Sequence, residues 1–338
     1  MKKRIDYIDI IRAFGIICMI SGHLPNVSSD WSLYIHAFHM PIFFIISGLF
    51  FKEKEPFSTF IRKKVRTLLI PYFTFGFMYC AIQLMIVRDI NLFFTSIKNI
   101  FTYNNVLLPL AGALWFLTAL FFAEVIFYLI MKVKNRFFIG ILCIILSIGG
   151  CLLTSIFNIN LPLSINASLA SIAFLFIGYL LKQKSEKIDM IFNLKIPYLF
   201  IVVGLNIFLI FLNGTINMRT GQYGFPLLFY FNAFTSYIIL ANISKKLTNK
   251  TIRLKKEMIN IGKNSLAYLC LNQPIILVIC KIPNIIISTF NMGFLSPLFY
   301  ILELMLTILL ISFIDKIFSD KLFYNLMLGR KIRASLQK

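Results

Sequence analysis

The chain has 338 residues, of which 59% are hydrophobic and only 14% charged, whereas a soluble domain carries about 25% charged residues and about 45–50% apolar ones. No water-soluble fold hides that much apolar surface, so lipid must be the solvent for most of it. The formal net charge of +21 falls in the gaps between long apolar runs rather than in a basic stripe interleaved with aromatics, which argues against nucleic-acid binding.

A bilayer core of about 30 Å needs about 20 apolar residues per helix. Runs of that kind lie near 8–25, 34–51, 67–87, 111–131, 137–157, 165–181, 196–213, 224–243, 259–280 and 294–315. The sequence therefore predicts an all-α, polytopic integral membrane protein with about ten transmembrane helices. Residues 1–338 are expected to form a single membrane domain, with no soluble domain among them. Several spans are broken by Pro or Gly, as in IPYFTFG and LNQPIIL; such breakers are tolerated where neighbouring helices satisfy the freed backbone groups. Arg12 interrupts the first apolar run and no small-residue cleavage site follows, so the N-terminus does not read as a cleaved signal peptide.

Orientation follows from the connecting segments. With the N-terminus inside, 29 of the 34 lysines and arginines fall in inner segments. Arg88, Lys98, Arg219 and Lys281 fall outside, and Arg12 falls within the first span. Both ends are thus expected in the cytoplasm. The long outer connection contains INLFFTSIKNIF, which reads as a short amphipathic interfacial helix, as does the basic tail after 316. Cys18, Cys80, Cys143, Cys151, Cys270 and Cys280 all sit in apolar runs without CxxC or zinc spacing, as fillers between helices.

The chemistry-bearing residues crowd at the start. Arg12 and His23 are eleven positions apart, which returns to within about 20° of one helix face, roughly 16 Å further along. One stripe then carries a cation near one end and an imidazole near the other. Arg12 either faces a cavity or ligand, or pairs with Asp9 or Asp6 at the interface. His23 is either functional or an interfacial residue capping its span. His36 and His39 share a face at the start of the second span. With His23 they make either a three-histidine metal site or a polar entrance lined by imidazoles. The second is expected, with no bound metal.

The stretch DIIRAFGIICMISGH, then FHMPIFFIISGLFF, then RKKVRTLLIPY resembles the membrane acyltransferases of the acyltransferase-three family, most closely its fucose 4-O-acetylase-like branch. Arg12 and His23 match the first motif, Phe38 to Gly48 the second-helix signature, and Arg62, Arg66, Pro71 and Tyr72 the basic lead into helix three. Leu114 to Phe122 resembles the branch's Trp-Phe-Leu motif, and Ile261 to Pro274 its late helix. Where the family often has a histidine, this chain has Asn272, which exchanges hydrogen bonds but cannot act as a base.

The resemblance implies transfer of an acyl group, most often acetyl from acetyl-CoA, to a sugar hydroxyl of a cell-surface glycan or lipid-linked precursor. It implies His23 as the base, since imidazole is mostly neutral at pH 7. Arg12, Arg62, Lys63 and Arg66 would meet the phosphates of the acyl-CoA. His36, His39, Ser47, Trp115 and Asn272 would line the substrate. Asn272, Ser47 or a helix N-terminus would stabilise the oxyanion. A competing reading is a glycolipid or small-solute transporter whose intramembrane charges Arg12, Glu124 and Glu303 line a path. The crowding of motifs into the first 75 residues, without repeated halves, favours one catalytic site.

Overall fold

The computed structural model describes residues 5–104, 112–183, 191–249, 252–281, 283, 285 and 296–330. Among them the regular structure is helical, with one isolated antiparallel bridge between Asn217 and Gln222. Among the described residues seven helices are long and apolar enough to cross a membrane: Ser29–Leu49, Phe57–Val87, Gly112–Ile130, Arg136–Ser155, Ile196–Asn213, Pro226–Thr248 and Ser296–Phe318. Pro162–Ala170 and Ile172–Gln183 join as an eighth, bent by 48°. Two further expected spans are the 18-residue first helix, Asp6–His23, and the shorter apolar helix Ser265–Ile279. The protein is an all-α, multi-pass membrane protein.

Lipid as solvent is visible in the sidedness of individual helices. On Ser296–Phe318 the buried positions are Glu303, Thr307, Ile311 and Asp315, one stripe at four-residue spacing. Leu298, Ile301, Leu302, Met305, Leu309 and Phe313 are exposed. The polar groups face inward and the apolar ones outward, the reverse of a water-soluble helix.

Several helix ends depart from the apolar runs for local reasons. The second span begins at Ser29 rather than 34, because the Ser28 hydroxyl accepts the Trp31 N–H at 3.3 Å and caps it. The third extends back to Phe57, so the basic segment FSTFIRKK is helical rather than a loop. It passes into a π-turn at Val65–Leu69, where the Ile70 N–H reaches the Val65 carbonyl five residues back. Pro71 follows directly, and its ring clashes with an ordinary i−4 carbonyl; the wider turn accommodates it. The late run 259–280 breaks at Asn264 into a basic helix, Arg253–Lys263, and the apolar Ser265–Ile279. INLFFTSIKNIF is the helix Ile90–Phe101, capped by Asp89, whose Oδ1 accepts from Asn91 and Leu92.

The chain folds as two compact units. The first is drawn from Met1–Phe43, Glu186–Ile216 and Leu227–Ile317. Its first helix packs along Arg253–Lys263 and Ser265–Ile279, and a Cβ on Gly262 would overlap the Asp9 carbonyl. Only a glycine lets two backbones approach so closely, as small residues do at membrane helix interfaces. Asn206 ties Ile196–Asn213 to Pro226–Thr248: its amide donates to the Asn232 carbonyl at 3.1 Å, and its Oδ1 accepts from Ser236 at 3.1 Å. Such interhelical bonds contribute about 0.6 kcal/mol each.

The second unit is drawn from Phe44–Ser185, Asn217–Pro226 and Phe318–Lys338. Trp115–Ile130 is its central helix, with Trp115, Phe116, Leu117, Ala119, Ala123 and Phe127 all buried. Gly48 lies against the Leu175 carbonyl and Gly178 against that of Ile45, so Pro41–Leu49 and Ile172–Gln183 also touch through backbone. Phe51 anchors an aromatic cluster with Phe60, Phe127, Tyr128 and Tyr179, at ring separations from 5.0 to 6.4 Å.

Candidate active site

In the first unit, His23 ends the first helix and its Nδ1 lies 2.6 Å from the Met19 carbonyl. A carbonyl only accepts, so Nδ1 carries the proton and the basic lone pair of the neutral ring is on Nε2. His36 and His39 are held in the same way, with Nδ1 donating to the carbonyls of Ser32 at 2.7 Å and Ile35 at 2.8 Å. Their rings meet edge to face at 5.0 Å. His39 is buried at 4% exposure. The His36 ring also lies over Gly22, where a Cβ would sit 3.1 Å from its Cε1. The end of the first helix and the start of the second span are thus one packed locus, and three imidazoles belong to it. Among the described residues no group of three His, Cys, Asp or Glu is placed to hold a metal ion.

Around this locus lie polar groups of which the sequence had singled out only Glu303, and that as a charge on a transport path. The Ser21 hydroxyl bonds to the Tyr300 hydroxyl and accepts the Trp31 indole N–H at 2.6 Å. Asn26 reaches both carboxylate oxygens of Glu303, at 3.4 and 3.5 Å, and Glu303 is fully buried. Tyr300 and Glu303 are three apart on one helix face, so they brace the end of the first helix and the turn after it. The available signal was Glu303 itself, since a carboxylate inside a span must find donors.

Arg12 forms an ion pair with Asp9 at 2.9 Å, with the Asp9 carboxylate buried and the guanidinium partly exposed. This is one of the two arrangements the spacing left open. Asn272 is fully buried, and its amide donates to the Tyr268 and Leu269 carbonyls at 3.2 and 2.6 Å, and more weakly to the Met19 sulfur. Both amide protons are engaged, while Oδ1 is buried without a partner. What Asn272 offers in this arrangement is an acceptor, not an oxyanion donor.

The remaining expected site residues lie in the second unit. Ser47 donates its hydroxyl proton to Glu124 Oε1, and Lys64 Nζ bonds to the same oxygen. Glu124 Oε2 is buried and has no partner. Arg62 and Lys63 are exposed, and Lys63 makes a loose pair with Glu55 at 3.8 Å. Arg66 sits inside the π-turn with its Nε buried and unpartnered. Trp115 starts the central helix at 5% exposure, and its carbonyl accepts from Thr118 at 2.9 Å. Lys64 and Glu124 were not expected as a pair; they are 60 positions apart.

The acyltransferase-domain family model matches residues 5–316, nearly the whole chain. No curated protein and no solved structure matches it. An acyltransferase domain of that extent decides between the enzyme and transporter readings. The chain is a multi-pass membrane O-acyltransferase and belongs to the acyltransferase-three family.

Proposed function

We propose that this enzyme moves an acetyl group from acetyl-CoA to a sugar hydroxyl on a cell-surface glycan or its lipid-linked precursor, within the fucose 4-O-acetylase-like branch. It would act in the cell membrane with both termini in the cytoplasm. The observation that carries this reading is the tautomer of His23, whose Nδ1 is committed to the Met19 carbonyl. A sugar hydroxyl is a poor nucleophile at neutral pH, and a neutral imidazole with its lone pair on Nε2 suits proton abstraction from it.

In the proposed step, Nε2 takes the hydroxyl proton as the sugar oxygen attacks the thioester carbonyl carbon. The tetrahedral oxyanion then collapses, the carbon–sulfur bond breaks, and the leaving thiolate takes the proton back from the imidazolium. The donor's phosphates would be met by Arg12, Arg62, Lys63 and Arg66, the planar guanidinium fork pairing two phosphate oxygens at once. His36, His39, Trp115 and the Asn272 acceptor oxygen would contact the sugar. Mass spectrometry of surface glycans from cells with and without the gene tests the reading. Loss of an acetyl mass is expected. An unchanged glycan acetyl pattern, with the protein present in the parent cells, counts against it.

A further inference from the structure

The second unit contains a polar cluster that the proposed step does not use. Glu124 is 3% exposed in the middle of the central helix. One of its carboxylate oxygens takes both available donors, Ser47 Oγ and Lys64 Nζ, while the other is buried with none. A buried carboxylate oxygen left unmatched costs the full desolvation of an anionic acceptor, and a fold that only required an ion pair would be expected to satisfy both. Lys64 carries three protons, one of which goes to Glu124, and its ammonium lies over the Phe60 ring at 5.7 Å. The pair therefore presents a vacant acceptor beside further N–H donors. An amide offers the matching set, one N–H and one carbonyl.

The position narrows the ligand. Lys64 closes the basic helix that carries Arg62 and Lys63, and the π-turn with Arg66, whose Nε is buried without a partner, follows at once. π-turns concentrate at functional sites because they re-aim side chains. A ligand whose phosphates rest on that basic stretch would bring the next part of its structure to Lys64 and Glu124. We infer that Glu124 Oε2 and Lys64 bind an amide of the pantetheine arm of the acyl-CoA, with Ser47 orienting the carboxylate. This inference rests on the acyl-CoA donor proposed above.

The test is calorimetric titration of the purified protein with acetyl-CoA and with adenosine 3′,5′-bisphosphate, which has the phosphates but no arm. Wild type is expected to bind both. Glu124→Gln is expected to weaken acetyl-CoA binding by about tenfold or more, as for a lost hydrogen bond to a charged group. The bisphosphate should bind both proteins alike. Equal weakening of the two ligands would show that Glu124 only supports the fold, and would overturn the inference. Should Glu124→Gln not accumulate, wild type alone decides with an acetyl-CoA analogue in which ester oxygens replace the two amide N–H groups. Binding at least tenfold weaker than acetyl-CoA is expected, and equal binding overturns the inference. Failure of folded wild type to bind acetyl-CoA at all would remove the acyl-CoA reading itself, a different outcome from either.

Discussion

The bond from His23 Nδ1 to the Met19 carbonyl closes the last turn of the first helix and leaves Nε2 as the basic nitrogen of the neutral ring. His23→Ala is expected to abolish acetyl transfer, by at least the 10²- to 10⁴-fold typical of general base catalysis, with near-normal amounts of protein in the membrane. His36→Ala should be milder, since its ring lies against Gly22 and His39. Acetyl transfer from labelled acetyl-CoA, normalised to protein, checks both; substantial activity in His23→Ala moves the base elsewhere. Arg12 raises a different question, because the Asp9 carboxylate it pairs with is buried. A charge-assisted bond of this kind contributes about 1.5–3 kcal/mol. Arg12→Ala should therefore lower the amount of folded protein, and adding Asp9→Asn should restore part of it. Detergent-solubilised yield of wild type, Arg12→Ala and the double variant measures this, and a double variant no better than Arg12→Ala alone would show that the pair is not what Arg12 contributes to stability.

At the scale of elements, close backbone contact and the π-turn make the sharpest predictions. Gly262 and Gly204 are both helical glycines of the first unit. A Cβ on Gly262 would run into the Asp9 backbone, whereas Gly204 has open space around it. Gly262→Ala should cost about 1–3 kcal/mol by overpacking, and Gly204→Ala should be neutral or stabilising by up to about 1 kcal/mol through helix propensity. Thermal unfolding in detergent separates them; similar melting points for the two variants would contradict the packing described. Pro71 makes the second case. Pro71→Ala removes the ring that the Val65–Leu69 turn accommodates, so the helix can return to regular α form. A one-residue change of register rotates the preceding side chains by about 100°. Acetyl-CoA binding is expected to fall through displacement of Lys64 and Arg66, with the protein still folded, and unchanged affinity by titration would separate the π-turn from donor binding.

For the whole molecule, the alternation of strongly basic connections with ones that carry few basic residues makes a topology prediction. Single cysteines replacing Asp30, Lys54 and Lys255, in a background without the six native cysteines, should label from outside at 30 and from inside at 54 and 255. One inverted position would break the ten-span arrangement. The native cysteines are all buried, so their removal should be tested first for retained expression.

Composition, apolar run length and charge alternation determined the solvent, the helical class and the expected orientation, because each is a sum over many residues and tolerates local error. Arg12, His23 and the motif blocks were legible for a related reason: eleven residues on one helix have a calculable geometry before any folding. The helix ends were less legible, since Ser28, Asn264 and Pro71 act through caps and turns that apolar run length ignores. What only the tertiary structure decided was pairing. Asn26 meets Glu303 across 277 positions, and Ser47 and Lys64 converge on Glu124 across 77 and 60. Periodicity says which face of a helix is polar but not which other helix that face meets. In lipid, where apolar faces do not choose their neighbours, that choice rests on close glycine contacts and on satisfying each buried polar group.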